Sequence, residues 1–416
     1  MLLLPTKLIK KISMKELKKI LLTCIVYFIP VVLFGEILTE INDTHLSSNN
    51  FIYGIVQEKK INSEKVDSCK KIIFKVPKIS GYLQTGWNYT ANDKTKTSSF
   101  QAKRLRLLMD GKVGDNIDFR LQIEAFNGIS GTQNGNNQKS IHLMDAFATW
   151  KIVPEFKVRL GQFYTPLGYE NYDISPSTLE SIDFSNIVYR MACRNPYEYN
   201  FVDYGRDLGI MFIGDIGKSK QGYSYLHYDF AITNGSLPCT DDKNMSKDIY
   251  VSTTIQPMKN LKVKATYNYG EYVSNTVKGG EGVKVKDGSR YNPMNRFVAG
   301  VWYNDPNGLD LRTEIGFVNS KIDNFTFVNE ESAYILAAYH FHKFLPLLRW
   351  DMYKDNINKT TAAANYNRIL LGVTYKLMEN AKIQLNWGHF IYPKNIEELN
   401  GYKTSEQIQI MGLFSF

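Results

Sequence analysis

The residues of this chain with the clearest chemical potential are basic side chains at alternate positions of segments that have the period of β-strands. A strand turns successive side chains to opposite faces, so alternate positions share one face. Rings of lysine and arginine attract anions, and the planar fork of arginine donates two hydrogen bonds to a phosphate group. By this parity the basic set on one face is Arg104, Arg106, Arg120, Arg159, Lys262, Lys264, Arg312, Arg349, Arg368 and Lys382.

The same face carries a smaller acidic set: Asp110, Asp118, Glu124, Asp229, Asp310, Glu314 and Asp351. Ten basic against seven acidic residues predict a polar surface with a mild preference for anions. The alternative is that these charges pair across neighbouring strands and only keep the surface wet, since opposite charges on adjacent strands commonly interact.

The segments that must position these charges alternate apolar and polar residues from residue 79 to the end of the chain. The alternation is clean in segments 117–125, 309–315 and 382–387. Each such strand has one apolar and one polar face. A soluble sandwich also alternates, so the connections between the segments must decide between the two architectures.

The connections are alternately long and short along the chain. Eight long connections are expected near 90–98, 127–140, 166–205, 234–246, 271–292, 319–331, 354–364 and 392–405, and seven short ones near residues 114, 154, 217, 257, 306, 342 and 379. Fifteen connections imply sixteen strands, with both chain ends on the short-turn side. Short turns on one side and long loops on the other are typical of bacterial outer-membrane barrels. We therefore predict an all-β, transmembrane antiparallel β-barrel over residues 77–416.

Composition excludes several other classes of protein. The mean hydropathy of −0.29 is too low for a polytopic helical membrane protein. The formal charge of +9 is concentrated in the first 35 residues, so the rest of the chain has no dense basic stripe that would indicate nucleic-acid binding.

Residues 1–35 combine a lysine cluster with a short apolar core, which predicts a signal peptide. Residues 36–76 are interpreted as a short periplasmic extension.

The last residues of the chain suit a terminal barrel strand. Ile408, Ile410, Phe414 and the C-terminal Phe416 occupy one face of the final segment. A terminal phenylalanine preceded by apolar residues at alternate positions resembles the signal that the outer-membrane assembly machinery reads. Phe416 and Phe414 are therefore the expected assembly signal.

One stretch of sequence resembles a known family. Residues 159–170, RLGQFYTPLGYE, resemble the R-x-G-Q-x-x-x-P-x-G-x-E segment of the phosphate-selective porin O and P family. Segments 103–107, 110–113, 145–147 and 205–210 resemble that family's other strands in the same order. The resemblance implies a 16-stranded, homotrimeric porin of the bacterial outer membrane.

The resemblance also implies that the third long connection, residues 166–205, folds into the lumen as a constriction loop. Loops of such length in compact proteins are usually functional. The residues singled out on it are Arg190, Arg194, Glu170 and Asp173, and acidic residues outnumber basic ones. An excess of acidic residues does not suit a filter for phosphate anions, although it agrees with a porin.

Two alternative functions are compatible with a barrel. A barrel enzyme has little support, because the chain lacks G-x-S-x-G, Walker and H-E-x-x-H motifs, and His340 with His342 has no evident third metal ligand. A surface receptor or adhesin would use the long outer loops. We expect a non-enzymatic porin without metal or cofactor, which passes small hydrophilic and preferentially anionic solutes through the outer-membrane lipid bilayer.

Overall fold

The computed structural model describes residues 74–125, 141–193, 205–235, 238–239, 246–271, 293–321, 327–355 and 365–416. The predicted signal peptide, most of segment 36–76 and Arg194 lie outside these residues, so those expectations stay predictions.

Sixteen antiparallel strands form one closed barrel in chain order. The strands are β1 (Phe74–Asn92), β2 (Lys96–Val113), β3 (Ile117–Glu124), β4 (His142–Val153), β5 (Phe156–Tyr164), β6 (Arg206–Lys218), β7 (Ser224–Thr233), β8 (Asp248–Met258), β9 (Leu261–Glu271), β10 (Pro293–Asn304), β11 (Leu309–Lys321), β12 (Phe327–Tyr339), β13 (Phe344–Asp355), β14 (Tyr366–Met378), β15 (Ala381–Ile391) and β16 (Thr404–Ser415). The barrel closes where β1 pairs with β16, from Tyr82 opposite Ser415 to Asn92 opposite Ser405. The predicted fold class and strand count are confirmed.

Alternation along the strands produces the two faces of the barrel wall. In β13 and β9, exposed and buried side chains follow each other almost without a break. The exposed positions are apolar, as with Ile369 and Leu371 on β14, and they form the outer surface. In a closed barrel the backbone N–H and C=O groups form hydrogen bonds with neighbouring strands. Such pairing is needed in a membrane because lipid offers no hydrogen-bond partners.

Short helical segments accompany the strands. Helix α1 spans Tyr169–Tyr172, a single π-helical turn spans Ile187–Ala192, and helix α2 spans Lys394–Asn400. No helix among the described residues combines the length and the apolar character needed to cross a bilayer.

The first predicted long connection, 90–98, is wrong. Strands β1 and β2 continue through most of it and are joined by a turn of three residues, 93–95. Pairing extends so far because Thr90 and Thr97 hydrogen-bond each other across the hairpin and the Trp87 indole donates to Ser98. The predicted turns at Gly217-Lys218 and Pro257-Met258 coincide with the ends of β6 and β8, which stop at Lys218 and Met258.

The inner face of the barrel is not polar throughout, which the parity rule did not anticipate. Val298, Leu336, Leu345, Leu347 and Leu370, from strands β10 to β14, are buried on the inner side. They pack against apolar residues of the connection between β5 and β6: Leu167, Ile187, Met191 and Ala192. An apolar inner wall is stable here because this connection covers it and removes it from water.

Candidate solute pathway inside the barrel

The connection between β5 and β6, residues 165–205, is held closed at its base. The backbone N–H of Thr165 donates to the carbonyl of Gly205 at 2.9 Å, and the Asn171 amide donates to the carbonyl of Thr165 at 2.9 Å. Gly168 has a φ of 75°, and a Cβ there would lie 2.6 Å from Oε1 of Glu314 on β11. We call residues 165–205 the β5–β6 loop; its sharp entry brings α1 directly against the wall.

A buried ion cluster attaches the loop to β11 and β13. Glu170 accepts from Nη1 of Arg349 at 2.9 Å and lies 3.5 Å from Nη2 of Arg312. The other Glu170 oxygen accepts from the backbone N–H of Ser185 at 2.7 Å, which ties two parts of the loop together. All three charged side chains are 0–1% exposed, so the cluster is desolvated.

The three other described carboxylates of the loop are also paired with bases of the wall. Glu180 accepts from Nη2 of Arg312 at 2.6 Å, Asp173 pairs with Lys264 at 2.6 Å, and Asp183 pairs with Lys103. Burial raises the pKa of Asp183, but the attraction of the Lys103 ammonium outweighs it, so the net pKa falls below its usual value. The four described acidic residues of the loop are therefore all paired in contacts that anchor it to the wall.

Backbone carbonyls of the loop extend these contacts around the barrel. Lys382 and Gln384 on β15 donate to the carbonyl of Leu179 at 3.1 and 3.2 Å. Arg104 on β2 donates to the carbonyl of Ile182 at 3.2 Å. A connection that leaves β5 and contacts β11, β13, β15 and β2 of a closed barrel runs through its interior.

The structure divides the ten predicted pathway bases into two groups. Arg104, Arg106, Lys264, Arg312, Arg349 and Arg368 are each at most 5% exposed. Arg120, Arg159, Lys262 and Lys382 are partly exposed. All ten are on the inner face, but only the second group has side chains that solvent reaches.

Arg104 and Arg106 belong to the buried group, each with 4% of its surface exposed. Nε of Arg106 donates to Glu124 at 2.8 Å, and Arg104 contacts Gln84 and the loop. Glutamate at position 106 would face the buried Glu124, so charge reversal at these two positions would test folding rather than selectivity.

The exposed inner carboxylates form ion pairs across neighbouring strands. Asp110 accepts from Arg120 at 2.7 Å and Asp118 from Lys151 at 3.0 Å. Asp215 accepts from Lys157 at 2.6 Å. These pairs lie toward the short-turn ends of β2 to β7, and we call the space that they line the vestibule.

Of the partly exposed predicted bases, Arg159, Lys262 and Lys382 have no carboxylate within ion-pairing distance among the described residues, and the same holds for Lys112 and Lys376. Arg159 is held in place without a counter-charge, because its Nε donates to Thr149 at 3.1 Å and its guanidinium lies 4.4 Å from the Phe147 ring centroid. The Lys262 ammonium lies 5.4 Å from the ring of Trp302. Cation–π contacts orient a positive charge without neutralising it.

Residues of the vestibule that parity reasoning missed include Lys112, Lys151, Lys157, Asp215 and His227. Asp215 and His227 lie on β6 and β7, where Gly and apolar residues interrupt the alternation of polar and apolar positions. Arg190 of the loop is buried, with its guanidinium 5.2 Å from the ring of Tyr353. Within the described ranges, no group of three His, Cys, Asp or Glu side chains could hold a metal ion.

Comparison with known proteins identifies one family and several solved structures. The family model described as phosphate-selective porin O and P matches residues 81–293, about half of the chain. No curated protein matches the sequence.

Three solved structures illustrate the similarity of fold. The anion-selective porin from Comamonas acidovorans has 14% identity and a TM-score of 0.59, over 82% of this chain and 99% of that one. OmpF of Salmonella typhi, in complex with daunomycin, has 13% identity and a TM-score of 0.56, over 82% and 97% of the two chains. The trimer form of OmpT from Vibrio cholerae has 12% identity and a TM-score of 0.51, over 82% and 99%.

Proposed function

Since this chain belongs to the phosphate-selective porin O and P family, and is thus a porin of the bacterial outer membrane, we propose that it passes small hydrophilic solutes passively with a weak preference for anions. Inorganic phosphate is one such anion. The family match and the closed barrel both favour a channel over an enzyme.

The observation that carries the anion preference is the unequal pairing of inner charges. The exposed carboxylates Asp110, Asp118 and Asp215 each have a basic partner at 2.6–3.0 Å. Arg159 and Lys262, by contrast, keep their charge uncompensated among the described residues. A salt-bridged carboxylate attracts a cation only weakly, whereas an oriented lone cation still attracts an anion.

We also propose how this porin assembles. A homotrimer agrees with the family and with the trimer form of the similar OmpT structure. Phe414 and Phe416 would be read by the outer-membrane assembly machinery, with residues 1–35 removed as a signal peptide. The backbone of Phe416 pairs with that of Gly81 in both directions, at 3.0 and 3.1 Å, so the last residue is part of the closing seam.

Liposome swelling with purified protein tests the transport proposal. We expect swelling in isotonic solutions of small neutral sugars and of sodium phosphate, without any energy source and with rates that fall as solute size rises. Liposomes that contain heat-unfolded protein are the control. Failure of the folded barrel to admit any solute would contradict the proposal and favour a receptor or a filled barrel.

A further inference from the structure

A histidine in the vestibule bridges two carboxylates. Nδ1 of His227 on β7 lies 2.8 Å from Oδ1 of Asp215 on β6, and Nε2 lies 3.2 Å from Oδ2 of Asp229. A carboxylate can only accept, so a ring that bonds to both carries protons on both nitrogens and is positively charged. The side chain of His227 is 30% exposed, so its charge acts on the vestibule.

The histidine belongs to a chain of contacts that reaches the β5–β6 loop. Lys157 on β5 donates to the second oxygen of Asp215 at 2.6 Å. At the other end, the Tyr172 hydroxyl donates to Asp229 at 2.9 Å. Register places the neutral Thr254 of β8 beside His227, while Arg159 lies two positions beyond Lys157 on β5.

The protonation of this one ring decides the net charge of the chain of contacts. With His227 charged, it and Lys157 balance Asp215 and Asp229. With His227 neutral, the same four groups carry one net negative charge in the part of the vestibule next to Arg159. Histidine is the side chain whose charge ordinarily changes near neutral pH.

Resting on the proposed porin function, we propose that His227 sets the pH dependence of ion selectivity in this channel. When His227 is protonated, the four groups are neutral together and the lone bases attract anions. When His227 loses its proton, the four groups carry one negative charge that repels anions. Anion preference is therefore high at acid pH and lower at alkaline pH. The change lies above the pH range in which ordinary carboxyl groups titrate and below the ordinary lysine pKa of about 10.4.

Zero-current potentials across planar bilayers, in a low-salt KCl gradient at a series of pH values, test this inference. In the wild type we expect the chloride-to-potassium permeability ratio to fall about twofold as pH rises, the effect of one charge at about one Debye length. His227→Gln should remove this step. Asp215→Asn, which leaves the ring one carboxylate, should move the step to lower pH.

His389 provides a matched control. Its Nδ1 lies 2.5 Å from Glu406, so His389 also forms a histidine–carboxylate pair. It lies on the outer face of the barrel, because it is two positions from the exposed Trp387 and stacks on that ring. His389→Gln should keep the wild-type step. A wild-type step that survives in His227→Gln, or anion preference without any pH step, would overturn this inference while leaving the porin intact. A channel that does not conduct at any pH would instead overturn the proposed function.

Discussion

Removing the two glutamates that anchor the β5–β6 loop is expected to widen the channel. In the double variant Glu170→Ala with Glu180→Ala, the buried Arg312 loses both carboxylates that form ion pairs with it. Breaking a buried pair on one side costs about 3–5 kcal/mol, so the variant strongly weakens the attachment of the loop to β11. We expect the loop to leave the wall, with a higher single-channel conductance and a lower unfolding temperature.

The control for this prediction is the pair of Asp110 and Arg120, which does not touch the loop. Their side chains are 37% and 40% exposed, and exposed pairs contribute roughly 0–1 kcal/mol. Asp110→Ala with Arg120→Ala should leave conductance and stability nearly unchanged. Equal conductance of the loop variant and the wild type would show that the buried cluster does not hold the loop.

Reversing the two lone bases that cation–π contacts orient is expected to abolish the anion preference. Arg159→Glu together with Lys262→Glu changes the vestibule by four charges. At distances near one Debye length, we expect the chloride-to-potassium permeability ratio to fall about tenfold, which makes the channel cation-preferring. Zero-current potentials in a KCl gradient measure this ratio, and each single variant should give an intermediate value.

Lys354→Glu provides the charge-matched control. Lys354 is 69% exposed and lies on the outer face beside Glu331, away from the lumen. Its replacement should not change selectivity. If the double variant in the lumen keeps the wild-type ratio, selectivity is set by residues outside the described vestibule.

The sequence predicts the barrel well because its signals are local. Alternation within a strand and the contrast between short and long connections need no knowledge of distant contacts. The apolar inner wall could also have been noticed, since Leu347-Leu348 and Ile369-Leu370-Leu371 break the alternation where the loop packs. The first outer turn was missed because its threonines and serines suit a loop as well as a paired hairpin.

Parity alone could not tell which inner bases a solute would meet. Arg312 and Arg349 have the same alternation as Arg120, but the loop covers them and leaves Arg120 open. The ion-pair partners of Glu170 are more than 140 residues away in the chain. Charge pairing across such distances depends on the path of the loop, which neither period nor composition encodes.

The most direct measurement is the zero-current potential of the unmodified protein at neutral pH in a KCl gradient. We expect stepwise conductance without any energy source. The uncompensated inner bases predict a zero-current potential of modest size with the sign of chloride permeation. A potential of the opposite sign would contradict the assignment of selectivity to those bases. Silent bilayers, despite a correctly folded barrel, would contradict the open channel itself.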